Sequence, residues 1–476
     1  MVLDAIDYKK VFKFFEEISN IPRGSGHNEL IHEYLVNFAK DRNLEYITDD
    51  LLNIIIRKKK NSSVKSDKIV MLQSHMDMVC QKTDDSNHDF KKDPLDLYIE
   101  DGFIHARNTT LGADDGIGLA MSLAILDDNT LSNPNLEVLV TTDEETGMYG
   151  AIGLKDNLIT ADYMINIDSD AEGSIIASCA GGYRSRIILN IDKKIASGYK
   201  TSISVFDLQG GHSGMEIDKN RSNANKVVAR VLLELDEEFE LVSINGGSAG
   251  NAIPKSSEAI IVSKENLDNK IADILRDIQQ ELLATEPNMK FSVKVLEENC
   301  SENVYANKDK AINLLNALPD GVQTFSGSIK GLVETSLNLG ILTQKDDKLE
   351  LLSFIRSSSN NYAKYLNKKL ESLARVFGAE YSADGHYGAW EYKNESRLRE
   401  IMVEEYKKQY GKAPEVIALH AGLECGILTA KKPSLDAVSI GATMLDIHTV
   451  NERLDIESTK RVYDYVCNVL EAIGRD

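Results

Sequence analysis

Residues 69–77 read IVMLQSHMD, an apolar run that ends in a histidine and, two positions later, an aspartate. A short apolar run bounded by polar turns is the pattern of a strand, and it recurs at 136–141 (LEVLVT) and 163–167 (YMINI). Between the first two lies GIGLAMSLAILD (116–127), long enough for a helix. Upstream, 7–19 (DYKKVFKFFEEIS) and 28–42 (NELIHEYLVNFAKDR) carry apolar residues at three- and four-residue intervals. They predict two further helices, with Ser25 in the N-cap region of the second. Strands alternating with helices predict an α/β fold on a mixed, mostly parallel sheet.

From about residue 184 the texture changes. Segments 184–192, 201–208, 240–245, 258–263 and 290–297 read as strands, and 222–236 and 267–283 as helices. A second set follows in related order: helix 308–317, strands near 333–342 and 348–356, helix 360–377 and strand 378–382. After residue 386 the first texture returns, with helices at 394–409, 421–429 and 457–473 and strands at 415–419 and 436–441. The expected organisation is a discontinuous domain, 1–183 and 386–476, interrupted by an inserted α+β domain of two similar halves, 184–385. The basic cluster 57–60 (RKKK) reads as a solvated strand end.

Composition narrows the function classes. The chain has 476 residues, 42% hydrophobic and 27% charged, an ordinary globular balance with ample length for a core. Its formal charge of −21 gives no grip on phosphate backbones or anionic lipid, so nucleic-acid and membrane partners are not expected. No apolar run approaches the roughly 20 residues of a membrane span. The start, MVLDAIDYKK, lacks the basic and apolar stretches of a signal peptide. Five scattered cysteines, never spaced C-x-x-C, fit a reducing, cytoplasmic setting.

The chemistry gathers where the apolar runs stop. IVMLQS ends in His75 and Asp77, LEVLVTTD in Glu144 and Glu145, YMINI in Asp168, and DAVSIGATMLDI leads into His448. In open α/β sheets, ligands collect beyond the carboxyl ends of the strands. A fifth piece, TTLGADDGIGLAM, sets Asp114 and Asp115 between glycines before a helix, which by itself reads equally well as a capped helix start. HMD and DEE are each weak signals alone; their joint occurrence at strand ends points to a metal site. Two divalent cations carry four positive charges; Asp114, Glu145, Asp168 and one bridging hydroxide carry four negative, with His75 and His448 as neutral donors. Nitrogen and oxygen ligation without thiolate suits Zn²⁺, with Mn²⁺ or Co²⁺ as substitutes. Asp77 is placed to orient His75 through its second ring nitrogen. Glu144, beside ligand Glu145, is placed to take a proton from water and pass it to a leaving amine.

HMDMV, TTLGADDGIG, TTDEETG, INIDSD and HTVNERL together resemble the aminoacylase/carboxypeptidase-like di-zinc metallopeptidase superfamily. Within it they look most like the aminoacyl-histidine dipeptidase branch, also called Xaa-His or cytosol non-specific dipeptidases, and the likeness runs along essentially the whole chain. The resemblance implies that His75, Asp114, Glu145, Asp168 and His448 are metal ligands, that Asp114 bridges, and that Asp77 and Glu144 are catalytic. Two departures, Gly-Ala-Thr at 441–443 where a proline is common and Thr-Val-Asn after His448 where Ser-Pro-Asp is usual, remove no ligand.

The inserted domain adds GGHSGMEI with His212, SAGNAIP with Asn251 and SFIRSS with Arg356. A turn histidine without a role and a strand-end arginine in a salt bridge are the ordinary readings of such residues. The resemblance implies instead that the insertion is a lid, that His212 reaches the substrate carbonyl and that Arg356 clamps a substrate carboxylate. In HAGLECG, His420 and Gly422 form a turn before a helix whose N–H groups could hold an anionic terminus, while Glu424 reads as equally well structural. His386 and Trp390 read as packing residues. The expected function is hydrolysis of dipeptides by a metal-bridging hydroxide with Glu144 as general base and acid, in a chain compatible with a homodimer. An N-acyl amino acid deacylase, a carboxypeptidase and a catalytically silent binding protein on the same scaffold are the alternatives.

Overall fold

The run at residue 69 forms the strand Ile69–His75, buried along nearly its whole length. In the computed structural model, which describes residues 2–6, 8–329 and 331–476, it lies inside an eight-stranded sheet. The order is Glu45–Thr48, Ile54–Lys58, Asn135–Thr141, Ile69–His75, Tyr163–Asn166, Asp436–Ser439, Ser174–Cys179 and Glu415–Leu419. The four strands beginning at 135, 69, 163 and 436 run parallel, and antiparallel pairs flank them. The parallel strands end together, so the residues after Gln73, Thr141 and Asn166 emerge along one edge.

Helix Ala113–Asp127 is buried on every side and packs against Val11–Ser19 and Ile69–His75, which is why it is apolar all round rather than striped. Its first turn departs from helical geometry at Asp114 and Asp115. A small sheet joins Met444–Leu445, Arg453–Asp455, Phe103–Ala106 and Leu97–Glu100, strands too short for their pattern to be read from sequence.

The chain forms two compact units: residues 1–178, 392–418 and 423–476 in the first, 179–391 and 419–422 in the second. The second is built on one nine-stranded sheet. One half runs strand Lys193–Phe206, helix Ala224–Glu234, strands Phe239–Gly246 and Ser257–Ser263, helix Asp268–Leu282, strand Lys290–Tyr305. The other runs strand Gly181–Asn190, helix Lys308–Ala317, strands Val333–Lys345 and Lys348–Ser357, helix Asn360–Val376, strand Glu380–Tyr387. Both halves share the β-α-β-β-α-β order, and they join edge to edge where Gly246 pairs with Leu342.

Some local expectations are corrected. The first helix is Val11–Ser19, because Lys9 and Lys10 take left-handed conformations that break the predicted 7–19 segment; residue 7 lies outside the described residues. Ser25 does not cap the second helix, whose N-cap is Asn28; its hydroxyl donates to Asp77 Oδ2 at 2.8 Å. The basic cluster does end a strand, Ile54–Lys58, but it is not merely solvated: Arg57 pairs with Glu137, and Lys58 Nζ donates to the carbonyls of Ile125 and Asp128. Lys193–Phe206 and Lys290–Tyr305 extend well past the predicted strands, since their outer halves pair with each other while exposed and so carry no apolar alternation. Among the described residues no helix is long and apolar enough to cross a membrane.

Candidate active site

His75 closes its strand with Nε2 3.1 Å from Asp114 Oδ1 and 3.5 Å from Asp168 Oδ1. On the other side of the same carboxylate, His448 Nε2 lies 3.2 Å from Asp114 Oδ2 and 3.1 Å from Glu145. Asp114 therefore offers one oxygen to each of two donor groups, His75 with Asp168 and His448 with Glu145. Donors around a tetrahedral cation with bonds near 2.0 Å stand about 3.3 Å apart, so these spacings suit small divalent ions. The donor set, imidazole and carboxylate without thiolate, fits the same conclusion.

Charge behaves accordingly. Hydrogen bonds donated to Asp114 and Glu145 push His448 up to about 10 against its partial burial. Burial pushes Asp168 up to about 7, with Asp114 adding to it against the pull of His75. Asp114 itself, although buried, is held well below the carboxylate range by His448 and His75. Glu144 is driven far upward by burial and by Asp168, Glu424 and Glu145, only partly offset by His75.

Asp77 is fully buried and does more than face His75. Its Oδ1 stands 3.5 Å from His75 Nδ1, while its own carbonyl is nearer, at 3.1 Å. The carboxylate accepts the backbone N–H groups of Glu144 (3.1 Å) and Glu145 (3.3 Å), so it pins the loop that carries both glutamates. Burial opposes its charge, but His75, Ser25 and the Glu144 amide outweigh that and lower it.

Glu424, left open by the sequence, is buried in the first unit beneath the strand ends. It accepts from Gln73 Nε2 at 2.5 Å and Thr141 Oγ1 at 2.7 Å, and Gln73 Oε1 accepts from Asn166 at 2.6 Å. Each partner stands shortly before a candidate ligand, so one carboxyl, which burial pushes up to about 8, ties together the three strands that lead to His75, Glu145 and Asp168.

The second unit gathers the other candidates. His212 pairs with Ala252 in a two-strand ladder, and the carbonyl of Asn251 accepts from Ser213 N at 2.8 Å, which brings GGHSG and SAGNAIP together while Asn251 itself stays exposed. His212 Nδ1 accepts the N–H groups of Gly214 and Met215, so the ring proton sits on Nε2. Arg356 Nη2 lies 3.4 Å from that nitrogen, donor against donor, and with burial it lowers the pKa of His212. Arg356 is buried, donates to Tyr387 Oη at 3.2 Å, and its Nε has no partner. His420 shares a 2.7 Å hydrogen bond with Ser336, and burial with Arg356 nearby drives it down to about 3. A side chain at Gly214 would come within 2.4 Å of the His420 carbonyl, and one at Gly422 within 2.8 Å of the Tyr387 ring, so both turns require glycine. His386 stacks on Tyr183 and Trp390 is buried against Cys179. Tyr387 and Ser336 had no sequence signal, since each acts only through its neighbours.

This fold with a paired-donor carboxylate site defines a peptidase: the sequence profile of peptidase family M20/M25/M40 matches residues 71–472, and the chain belongs to that family. It is 38% identical to the cytosol non-specific dipeptidase of Escherichia coli (strain K12) over 99% of each chain. Among solved structures it resembles the aminoacylhistidine dipeptidase from Vibrio alginolyticus, with a TM-score of 0.93 and 33% identity over 99% of this chain and 98% of that one. Aminopeptidase PepT from Bacillus cereus shares the fold at a TM-score of 0.59 and 17% identity, covering 99% of this chain and 100% of that one.

Proposed function

We propose that the protein is a cytosolic metallo-dipeptidase acting on Xaa-His and other dipeptides. The observation that carries the reading is Asp114, whose two oxygens face separate donor pairs, His75 with Asp168 and His448 with Glu145. Two Zn²⁺ ions, or Mn²⁺ or Co²⁺ in their place, would supply Lewis acidity toward the scissile carbonyl and lower the pKa of the attacking water.

The remaining work falls to side chains. Glu144, whose carboxyl burial pushes well above the ordinary carboxylate range, accepts the proton from water and delivers it to the leaving amine. Asp77 holds Glu144 and Glu145 in place through their amides. His212, with its proton on Nε2, donates to the carbonyl oxygen as charge develops there. Arg356 takes the free α-carboxylate of the substrate, flanked by His420 and the Gly422 turn, with Asn251 as a further contact. In this reading residues 1–183 and 386–476 are the catalytic domain and 184–385 the lid. Nothing in the set of cysteines opposes a reducing compartment, since the five form no disulfide with one another.

The test is hydrolysis of a panel of dipeptides, a tripeptide and an N-acyl amino acid, with and without Zn²⁺, Mn²⁺ and Co²⁺. Dipeptides are expected to be cleaved fastest and only with metal. Preference for the acyl amino acid would make the protein a deacylase, preference for the tripeptide would remove the length rule, and no hydrolysis at all would leave a binding protein.

A further inference from the structure

Glu452, four residues after His448, is almost fully buried and, among the described residues, makes no hydrogen bond to another ionisable side chain. Its carboxylate accepts four consecutive backbone N–H groups: Oε2 those of Leu111 (2.8 Å) and Gly112 (3.0 Å), Oε1 those of Ala113 (2.8 Å) and Asp114 (3.4 Å). Successive amides converging on one point form an anion-binding nest, and here the anion is the chain's own side chain, more than 300 residues away in sequence. Gly112 makes the turn with φ +65°, and a side chain there would strike Arg23 and Met78.

Arg23 completes the arrangement from the other side. It is buried, its Nη1 donates to the carbonyls of Met76 (3.1 Å) and Asp77 (3.2 Å), and its Nη2 donates to the carbonyl of Gly112. A buried guanidinium is costly without opposite charge, and Glu452 and Asp77 lie close enough to offset it. Three segments that carry His75 and Asp77, Asp114, and His448 are thus tied by two side chains that are not among the candidate ligands.

We propose that Glu452 and Arg23 are positioning residues that assemble the ligand set before any cation arrives, Glu452 by filling the amide nest of residues 111–114 and so aiming both oxygens of Asp114. This rests on the reading of Asp114 as the ligand shared by two metals. Pre-organised ligands bind more tightly because ordering them is not charged to the binding step. Loss of the clamp therefore lowers metal affinity at both sites together, since both depend on Asp114. A loop brace with no such role would lower the unfolding temperature and leave the affinity of the folded chain unchanged.

The experiment is a Zn²⁺ titration in competition with a chromophoric chelator, on wild type, Glu452→Gln and Glu452→Ala, each checked by circular dichroism for native folding. Glu452→Gln turns an amide NH₂ toward backbone donors and is expected to weaken Zn²⁺ binding about 10- to 100-fold, the range for groups that support ligands from behind. Glu452→Ala leaves the nest empty, and formate at tens of millimolar is expected to restore much of its affinity while leaving Glu452→Gln unrestored. Wild-type affinity in both folded variants, or no response of Glu452→Ala to formate, overturns the proposal. If Glu452→Ala does not fold, Glu452→Asp decides by the same titration: a carboxylate one methylene short is expected to weaken binding, and unchanged affinity overturns the clamp. A wild-type chain that takes up none of Zn²⁺, Mn²⁺ or Co²⁺ would instead sink the metal reading, which is a separate failure.

Discussion

In the first unit Asp114, Glu144, Glu145 and Asp168 crowd around two imidazoles, whereas in the second Arg356 lies buried among His212, His420 and Tyr387 with no carboxylate paired to it among the described residues. One cluster has an excess of negative charge, and its carboxylates push His448 up; in the other, burial first and then the Arg356 charge push His420 down. Each is expensive to fold alone and each is suited to a ligand of opposite sign. In the proposed function a metal cation answers the first and a carboxylate-bearing substrate the second. The difference teaches that each unit carries its own charge imbalance, negative in the first and positive in the second.

The contrast can be broken most severely at Glu144. Glu144→Gln is expected to keep its metal content while kcat falls by roughly 10²- to 10⁴-fold, the usual worth of a general base. Elemental analysis and kinetics on one preparation settle it, and near-normal turnover would remove Glu144 from the chemistry. His212→Ala comes next, at about 10²- to 10³-fold, the loss typical of one donor to a developing oxyanion. Here kcat and kcat/KM should fall together; a change in KM alone would mean that His212 binds substrate without favouring the transition state.

Arg356 tests the second cluster directly. A charge-assisted bond to a carboxylate is worth about 1.5–3 kcal/mol, so amidating a good dipeptide should lower kcat/KM of the wild type roughly ten- to a few-hundredfold. Arg356→Ala should lose most of the distinction between free and amidated substrate. Equal cleavage of the two by wild type would leave the buried guanidinium without a purpose.

The smallest effect concerns a carboxylate of the second unit with no part in the site. Asp320 is half-buried, accepts from Leu339 N and Asn223 Nδ2, and is pushed up to about 6 by desolvation. The folded chain therefore holds a proton there that the unfolded chain releases near pH 4, so this group lowers stability as pH rises from about 4 to about 6 and no further above it. Replacing it in Asp320→Asn should flatten that part of the profile by on the order of 2 kcal/mol between pH 4 and 7. Denaturation midpoints of both proteins across that range measure it, and parallel profiles would show that Asp320 does not titrate there.

What the sequence disclosed follows from where signals come from. Ile69–His75, Asn135–Thr141 and Tyr163–Asn166 are buried on both faces, so they stand out as apolar runs, and the polar residues that end them could be read as a set. Glu45–Thr48 is exposed or half-buried throughout and carries no such contrast. Glu452 was passed over because a carboxylate that serves backbone amides needs no particular neighbour in sequence. Arg23 in PRGSG looks like an ordinary loop residue and Ser25, two positions on, like part of a helix N-cap, although both end on the segment of Asp77. Tyr387 likewise acquires its place only through Arg356 and Gly422.

The interrupted order of the sheets also dictates a timetable for synthesis. Strand Tyr163–Asn166 gains its second neighbour only when Asp436–Ser439 exists, and Gly181–Asn190 waits for Lys348–Ser357. At 5–20 residues per second, the roughly 270 residues between the first pair occupy the ribosome for about 15–50 s. The stretch from Lys193 to Tyr305 carries its four strands of the nine-stranded sheet in one continuous segment and can close first. Until Asp436–Ser439 emerges, the flank of Tyr163–Asn166 that it pairs with has no strand beside it.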